Sequence, residues 1–260
     1  LELSPLAGWG SEFPIGAGVV NAIGIVEGVE VGITATDMTY RGGSTNPSTL
    51  DKSSRFFEIV RTNRLPWISL NESAGADLPH QADVFNRGGA SFKHQTQLSA
   101  AGIPTITCGF GPATAGGAYT PGMSDYTVFV ANRATAYLGG PPLVKMAIDE
   151  VVDEETLGGA EMHARVSGLS DYLAVDEMDA LRITRQIVAH LRWRKIGPGP
   201  TEPADEPLYP SHELLGCASA DVRVPFDIRE IYARVLDGSR FEEFKPLYGD
   251  KLVCGWGSVN

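Results

Sequence analysis

The sequence predicts an α/β fold assembled from strand, loop and helix units in succession. Three observations predict it. Short apolar, β-branched runs alternate along the chain with helix-period patterns. Several of these runs end in clusters of Gly, Ala, Ser and Thr rather than in long polar loops. Gly accounts for 30 of the 260 residues, against a usual share of about 7%. Such an excess fits tight turns and places where backbone closely approaches a ligand.

Taken in order, VVNAIGIV (19–26) and VEVGITATD (29–37) read as two strands of a hairpin turned at Glu27–Gly28. Ser48-Thr-Leu-Asp51 resembles a capping box and opens a helix running to about Asn63. PWISLN (66–71) is a short apolar strand, followed by the loop ESAGADLPHQ and a helix through about Ala100. IPTITCGF (103–110) is a strand that enters a Gly-rich loop and then a short helix, and YTVFVAN (126–132) is another strand. DEMDALRITRQIVAHLRWRK (176–195) is the clearest helix, with Met178, Leu181, Ile187, Val188 and Leu191 as its apolar face. The Pro-rich acidic stretch 196–211 is expected to be irregular surface chain.

Two segments echo each other across the chain. LELSPLAG (1–8) is matched by EEFKPLYG (242–249) at Glu2/Glu243, Pro5/Pro246, Leu6/Leu247 and Gly8/Gly249. Gly8–Trp9–Gly10–Ser11 then recurs as Gly255–Trp256–Gly257–Ser258. Two matches in the same order, one including Trp, point to duplication. This reading expects one domain at residues 1–240 and the start of a second, truncated copy at 241–260.

Composition excludes some partners. A net charge of −11 opposes nucleic acid as the main ligand, because phosphate backbones need a basic surface. Cys108, Cys217 and Cys254 are far apart and odd in number, so neither a zinc site nor a disulfide framework is expected, and the compartment reads as reducing. His80, His94, His163, His190 and His212 show no metal-ligand spacing, so no metal is expected. No run is long and apolar enough for a membrane helix, and no basic leader opens the chain. A cytoplasmic location follows as an expectation, or the mitochondrial matrix in a eukaryote.

The chemistry is sought in two loops of one design. Leu70–Asn71–Glu72–Ser73–Ala74–Gly75–Ala76 and Gly111–Pro112–Ala113–Thr114–Ala115–Gly116–Gly117–Ala118 each connect a strand to a helix through small residues. The first N–H groups of a helix have no partners within it and carry the positive end of its dipole. Such groups suit an oxyanion hole, in which N–H donors stabilise charge developing on a carbonyl oxygen. Tight packing of strand-to-helix turns explains the same residues equally well. Glu72, Asp77 and Asp125 lie in or beside the loops as acid–base candidates or as helix caps.

At these loops the sequence resembles the carboxyltransferase (β) subunits of biotin-dependent acyl-CoA carboxylases. The resemblance rests on ESAGADLPHQADVF (72–85), GPATAGGAYTPGMSD (111–125), LGGPPLVK (138–145) and LGGAEMHARVSGLSDYLA (157–174). It implies a crotonase-like spiral of ββα units, the first of two tandem domains. It implies a carboxybiotin cofactor borne by a partner, an acyl-CoA substrate, and an enolate stabilised by backbone N–H groups while the biotin ureido group serves as base. Carried over by position, Ala74 and Gly75 would hold the thioester oxygen, Ala115, Gly116 and Gly117 would border the acyl and biotin pockets, and Gly42 and Gly43 would lie near the CoA. Ala74 departs from the Gly-Gly pair of the family. If that position requires a positive φ, Ala costs about 1 kcal/mol or more; if φ is negative, its methyl group matters only for clearance.

The implied partners are a biotin carboxylase and biotin carrier α subunit and further β subunits, in the family's usual ring of six. The substrate leans to methylcrotonoyl-CoA. Three other readings stand beside this one: a decarboxylase subunit of a sodium-pumping complex, a non-catalytic scaffolding β subunit, and a stand-alone hydratase or isomerase of crotonase type. The last requires a placed acid–base pair, and the sequence shows no convincing one.

Overall fold

A computed structural model of the chain describes residues 1–197 and 203–259. They form two compact units, Leu1–Lys195 and Ile196–Asn260. The first begins with the expected hairpin. Strands β1 (Val19–Val26) and β2 (Val29–Thr36) pair antiparallel from Val19↔Thr36 to Val26↔Val29. Glu27 and Gly28 make the turn with φ of 49° and 76°, the pair of positive angles that a twist-matched two-residue turn needs.

From β2 onward the sheet is parallel. Strands β3 (Trp67–Ser73), β4 (Thr105–Thr114), β5 (Tyr126–Val130) and β7 (Tyr172–Ala174) extend it in that order, and β6 (Thr135–Tyr137) pairs with the far end of β4. β4 therefore serves two neighbours, with Ile106–Gly109 against β5 and Pro112–Thr114 against β6. The switch is a bulge: on β3 Asn71 faces Gly109, but Ser73 faces Ala113. Extra residues on one strand bend it and re-aim the residues beyond the bend. Here they turn the end of β4 toward the end of β3.

Helices α1 (Pro47–Thr62) and α2 (Gln81–Ala100) make the crossovers from β2 to β3 and from β3 to β4. α1 starts one residue before the predicted Ser48, and its cap is Asn46. The Asn46 side chain accepts from Thr49 N–H at 3.0 Å, Thr49 Oγ1 accepts from Asn46 N–H, and Pro47 occupies the first turn, where no N–H is needed. Asn46 also donates to Ala17 O at 3.3 Å, which Ser48 could not reach from inside the helix. α1 packs on the sheet through Phe56, Phe57 and Val60, in one core with Leu65, Trp67, Leu98 and Ile103. The contact requires Gly32, because a Cβ there would lie 2.5 Å from Val60 Cγ2.

Short helices α3 (Tyr119–Gly122), α4 (Pro141–Ile148), α5 (Glu154–Gly158) and α6 (Ala160–Met162) come next. The expected long helix is α7 (Glu177–Leu191), capped by Asp176. Its buried face is Ala180, Ile183, Thr184, Ile187 and Val188, whereas Met178 is 73% exposed. The predicted stripe placed Met178 in the first turn of the apolar face, but that turn precedes the sheet contact, which begins at Ala180. Thr184 meets Cys108 on β4 at 2.7 Å, and burial pushes the Cys108 thiol up to about 12.

The second unit holds α8 (Leu214–Cys217), α9 (Arg229–Val235) and a hairpin of β8 (Glu242–Phe244) with β9 (Cys254–Trp256). Of the Pro-rich stretch 196–211, residues 198–202 lie outside the described residues, and 203–210 contain no helix or strand. The two Gly-Trp-Gly-Ser segments differ locally: Gly8–Gly10 lies in a turn, whereas Gly255–Trp256 lies in β9.

The cap assignment is testable. Asn46→Ala should lower the unfolding free energy by about 1–2 kcal/mol, and Ser48→Ala should change it by less than about 0.5 kcal/mol, as read by urea denaturation. Equal losses would restore Ser48 as the cap.

Candidate active site

Along β3 the side chains of Trp67, Ser69, Asn71 and Ser73 face α1 and α2, while Glu72 does not. With Thr34 and Thr36 of β2 they line one side of a cavity of about 810 Å³. Leu50 and Phe57 of α1 and Val84 and Phe92 of α2 supply apolar wall opposite. Three loops border the same cavity: Arg41 to Thr45, Ala74 to Leu78, and Ala115 to Gly117.

Backbone hydrogen bonds lace the first two loops together. Ala74 N–H donates to Gly42 O at 3.0 Å, Thr45 N–H to Gly75 O at 2.8 Å, and Asp77 N–H to Thr45 O at 2.9 Å. A partly buried ion pair clamps the outer end. Arg41 donates to both Asp77 oxygens at 2.6 and 2.8 Å, and His80 Nδ1 lies 3.0 Å from Oδ2. Burial alone would raise the Asp77 carboxyl, but the hydrogen bonds and charges of Arg41 and His80 outweigh it and hold the pKa below the ordinary value.

The third loop is pressed against the first two. Gly75 has a φ of 93°, and a Cβ there would stand 3.3 Å from Thr114 O and 3.4 Å from Ala115 Cβ. A Cβ on Gly117 would come within 2.7 Å of Ser73 Cβ and 2.8 Å of its Oγ. Ala115 adopts a φ of 52°, a left-handed conformation that costs a non-Gly residue about 1–2 kcal/mol, as β4 turns into the one-turn helix Ala115–Ala118. The loops are shorter than the sequence implied, because β3 continues to Ser73 and β4 to Thr114.

The expected site residues come together. Gly43, Ala74, Gly75, Ala115, Gly116 and Gly117 all line the cavity. Gly42 sits behind Ala74, and a Cβ on it would lie 3.4 Å from the Ala74 methyl. Ala74 keeps a negative φ, so the methyl group carries no backbone strain. Of the acid–base candidates, Glu72 points away from the cavity onto Gly111, with its carboxyl pKa raised by burial. Asp125 accepts from Thr105 N–H at 2.8 Å and from its hydroxyl at 2.9 Å, a structural tie. Asp77 alone of the three lines the cavity, and it is held ionised by Arg41.

The chain matches the family model of the carboxyl transferase domain over residues 6–260. It belongs to the carboxyl transferase domain family. This carboxyl transferase domain is 58% identical over all 260 residues to the probable biotin-dependent acyl-coenzyme A carboxylase beta2 subunit of Mycobacterium tuberculosis, of which it covers 49%. It is 48% identical to the mitochondrial methylcrotonoyl-CoA carboxylase beta chain of Dictyostelium discoideum, of which it covers 45%. Among solved structures it resembles the β subunit of P. aeruginosa geranyl-CoA carboxylase, with a TM-score of 0.70, 42% identity, and coverage of 99% of this chain and 48% of that one. It also resembles transcarboxylase 12S, described as a hexamer assembly with methylmalonyl-coenzyme A bound, with a TM-score of 0.90, 25% identity, and coverage of 100% and 52%. These likenesses establish the crotonase-like α/β fold. The chain spans about half the length of the curated relatives it matches.

Sequence reasoning missed the Arg41–Asp77 clamp and the polar row Ser69, Asn71 and Ser73. The clamp joins residues 36 positions apart and leaves no local signal. The row does leave one: small polar residues at period two, alternating with Ile68, Leu70 and Glu72. Among the described residues no group of three or more His, Cys, Asp and Glu is placed to hold a metal ion, and no helix is long and apolar enough to cross a membrane.

The clamp carries a pH signature. A carboxylate whose pKa is lowered on folding contributes stability above its unfolded pKa and loses it as pH falls through the lower folded value. Asp77→Asn should therefore lower the melting temperature at pH 7, and the gap to the parent should begin to narrow below about pH 4 and narrow further as pH falls. A gap unchanged between pH 7 and pH 3 would rule out the ionised clamp.

Proposed function

We propose that this domain is the acyl-CoA-binding half of a carboxyltransferase subunit in a biotin-dependent acyl-CoA carboxylase. The observation that supports this reading most is the convergence of two small-residue loops, Ala74–Gly75 and Ala115–Gly117, on one largely apolar cavity whose lining carboxylate, Asp77, is tied up by Arg41 and His80. The residues fit a thioester. Backbone is bared at Gly75 and Gly117, where a side chain would strike Thr114 or Ser73, and the wall beyond is apolar.

Carboxybiotin, carried by a partner, supplies CO2 and, through its ureido group, the base. The domain's own residues bind, orient and stabilise. Gly75 N–H donates to Ser73 Oγ at 3.1 Å, a hydroxyl that swings away by rotation about one bond. A thioester oxygen can take its place, so Gly75 is the first donor to the enolate oxygen. Ala74 N–H is taken up by Gly42 O at 3.0 Å, so of the pair only Gly75 N–H is released by a side-chain rotation alone. Gly42 and Gly43 both have positive φ, 65° and 72°. The N–H groups of Ala115 and Gly116 open their one-turn helix and have no partner within it. Ala115 and Gly116 line the same cavity, which supports a place for them beside the acyl and biotin groups.

The reading extends to the whole protein. A biotin carboxylase and biotin carrier subunit, a six-membered β core and a second crotonase-like copy beginning at residues 241–260 complete it. The M. tuberculosis and D. discoideum relatives support the first, transcarboxylase 12S the second, and the Glu-Pro-Leu-Gly and Gly-Trp-Gly-Ser echoes the third. The D. discoideum relative supports methylcrotonoyl-CoA as substrate. A negative φ at Ala74 removes the reason for a non-catalytic scaffold.

The full-length protein with its biotinylated partner, given ATP and labelled bicarbonate, should fix label into methylcrotonoyl-CoA. Gly117→Ala, by driving a methyl group into Ser73, should reduce kcat by about a hundredfold or more. No fixation by a complex whose biotin is shown to be carboxylated would favour decarboxylation or scaffolding instead.

A further inference from the structure

Of the five histidines only His163 is buried, at 8% exposed, and it does not line the cavity. It opens a single-turn π-helix, His163–Ser167, a wide turn that is rare and recurs at functional positions. Both ring nitrogens are taken. Nε2 lies 2.8 Å from Ala136 O, and Nδ1 lies 2.7 Å from Ser167 Oγ. A carbonyl oxygen only accepts, so Nε2 carries the hydrogen. In the neutral ring Nδ1 is then the acceptor, and the Ser167 hydroxyl donates to it. Phe129 meets the ring edge-on, with centroids 5.7 Å apart.

Ala136 is the middle residue of β6, whose only strand neighbour among the described residues is β4. A strand at an edge leaves peptide groups on its free side, and in a core these need partners from the chain. His163 supplies one, and a Thr135–Gly159 bridge is the other tie on that edge. The surrounding core is built from Ala113, Ala134, Ala136 and Ala160 with Phe129. Methyl groups pack without direction, whereas a hydrogen bond sets both distance and angle.

β6 in turn holds the third loop. Ala136 pairs with Ala113, and Tyr137 pairs with Thr114. Thr114 carries the carbonyl that stands 3.3 Å from the Cβ position of Gly75, and the next residue is Ala115, with its φ of 52°. A shift of β6 is therefore a shift of Ala115–Gly117 against Gly75.

We propose that His163 is a positioning residue for carboxyl transfer: acting through β6, it sets the spacing between the Ala115–Gly117 loop and Gly75. It touches neither ligand. The proposal rests on the carboxyltransferase reading, which assigns the thioester oxygen to Gly75 and the acyl and biotin groups to the third loop.

The test separates position from stability. In the full-length protein with its biotinylated partner, His163 is replaced by Gln, whose Nε2 takes the place of the ring Nε2, and by Asn, whose amide stops short of it. Fixation of labelled bicarbonate into methylcrotonoyl-CoA, geranyl-CoA or propionyl-CoA, whichever the parent uses, is measured per acyl-CoA site counted by calorimetry. Unfolded molecules thus drop out of the rate. His163→Asn should lower kcat per site about tenfold to a hundredfold, as a displacement near 1 Å does, with the acyl-CoA Kd held within about twofold. His163→Gln should restore kcat per site to within about threefold of the parent. Ser167→Ala, at an exposed position, frees the ring from its second tether and should lower kcat per site by about threefold to tenfold; it decides the matter if His163→Asn does not fold. Asn and Gln variants of equal kcat per site overturn the proposal, as does a fall in kcat matched by an equal loss of acyl-CoA affinity. Fixation by the parent alongside either result leaves the carboxyltransferase reading standing. A parent complex with carboxylated biotin that carboxylates none of the three thioesters overturns that reading and the proposal together.

Discussion

The close backbone approach at the ends of β3 and β4 is the constraint on which the site depends. A Cβ on Gly117 would lie 2.7 Å from Ser73 Cβ, which leaves no room for a side chain, and at Gly75 the φ of 93° together with Thr114 O at 3.3 Å disfavours one. Without the bulge between Asn71 and Ser73, β4 would continue straight beside β5 and its loop would point elsewhere. The bulge sends Pro112–Thr114 to a different neighbour, β6, and brings the next loop against Gly75. The small residues there are therefore required for the packing of the two loops.

The second requirement is rigidity without side chains. Three backbone hydrogen bonds between Gly42–Thr45 and Ala74–Asp77 extend the sheet by a short parallel step beyond β3. The Arg41–Asp77 pair closes that step at its outer end, with Asp77 almost wholly buried and Arg41 half exposed. A forked guanidinium on a carboxylate fixes direction as well as distance. The only ionised carboxylate on the cavity wall among the three candidates is thus committed to holding a loop. The site retains backbone donors, hydroxyls and the amides of Asn71 and Gln95, a set suited to binding a neutral thioester and stabilising charge that appears on its oxygen.

Ala74 departs from the family pattern without backbone strain. A Gly-Gly pair is needed only where both residues adopt positive φ. Here Gly75 does, at 93°, while Ala74 does not, and its methyl group rests against Gly42. The strain falls one loop away, on Ala115. Left-handed backbone at a non-Gly residue is held only where its surroundings over-determine it, and the contact with Gly75 and the turn into Ala115–Ala118 are those surroundings.

Much was determined by sequence alone. The hairpin at Glu27–Gly28, the order of strands and helices, and the two small-residue loops arise from local periodicity and turn chemistry, which act over a few residues. The family motifs at 72–85 and 111–125 marked two loops that line one cavity. Only tertiary structure decided what those residues face. Asn46 rather than Ser48 caps α1 because Ala17, far off in sequence, accepts its second hydrogen bond. Met178 is exposed because α7 meets the sheet only from Ala180 onward. Glu72 and Asp125 are kept off the cavity wall, and Asn71 is placed on it, by which side of a strand or turn lies over α1 and α2. That depends on packing between segments distant along the chain, a property to which no short window of sequence has access.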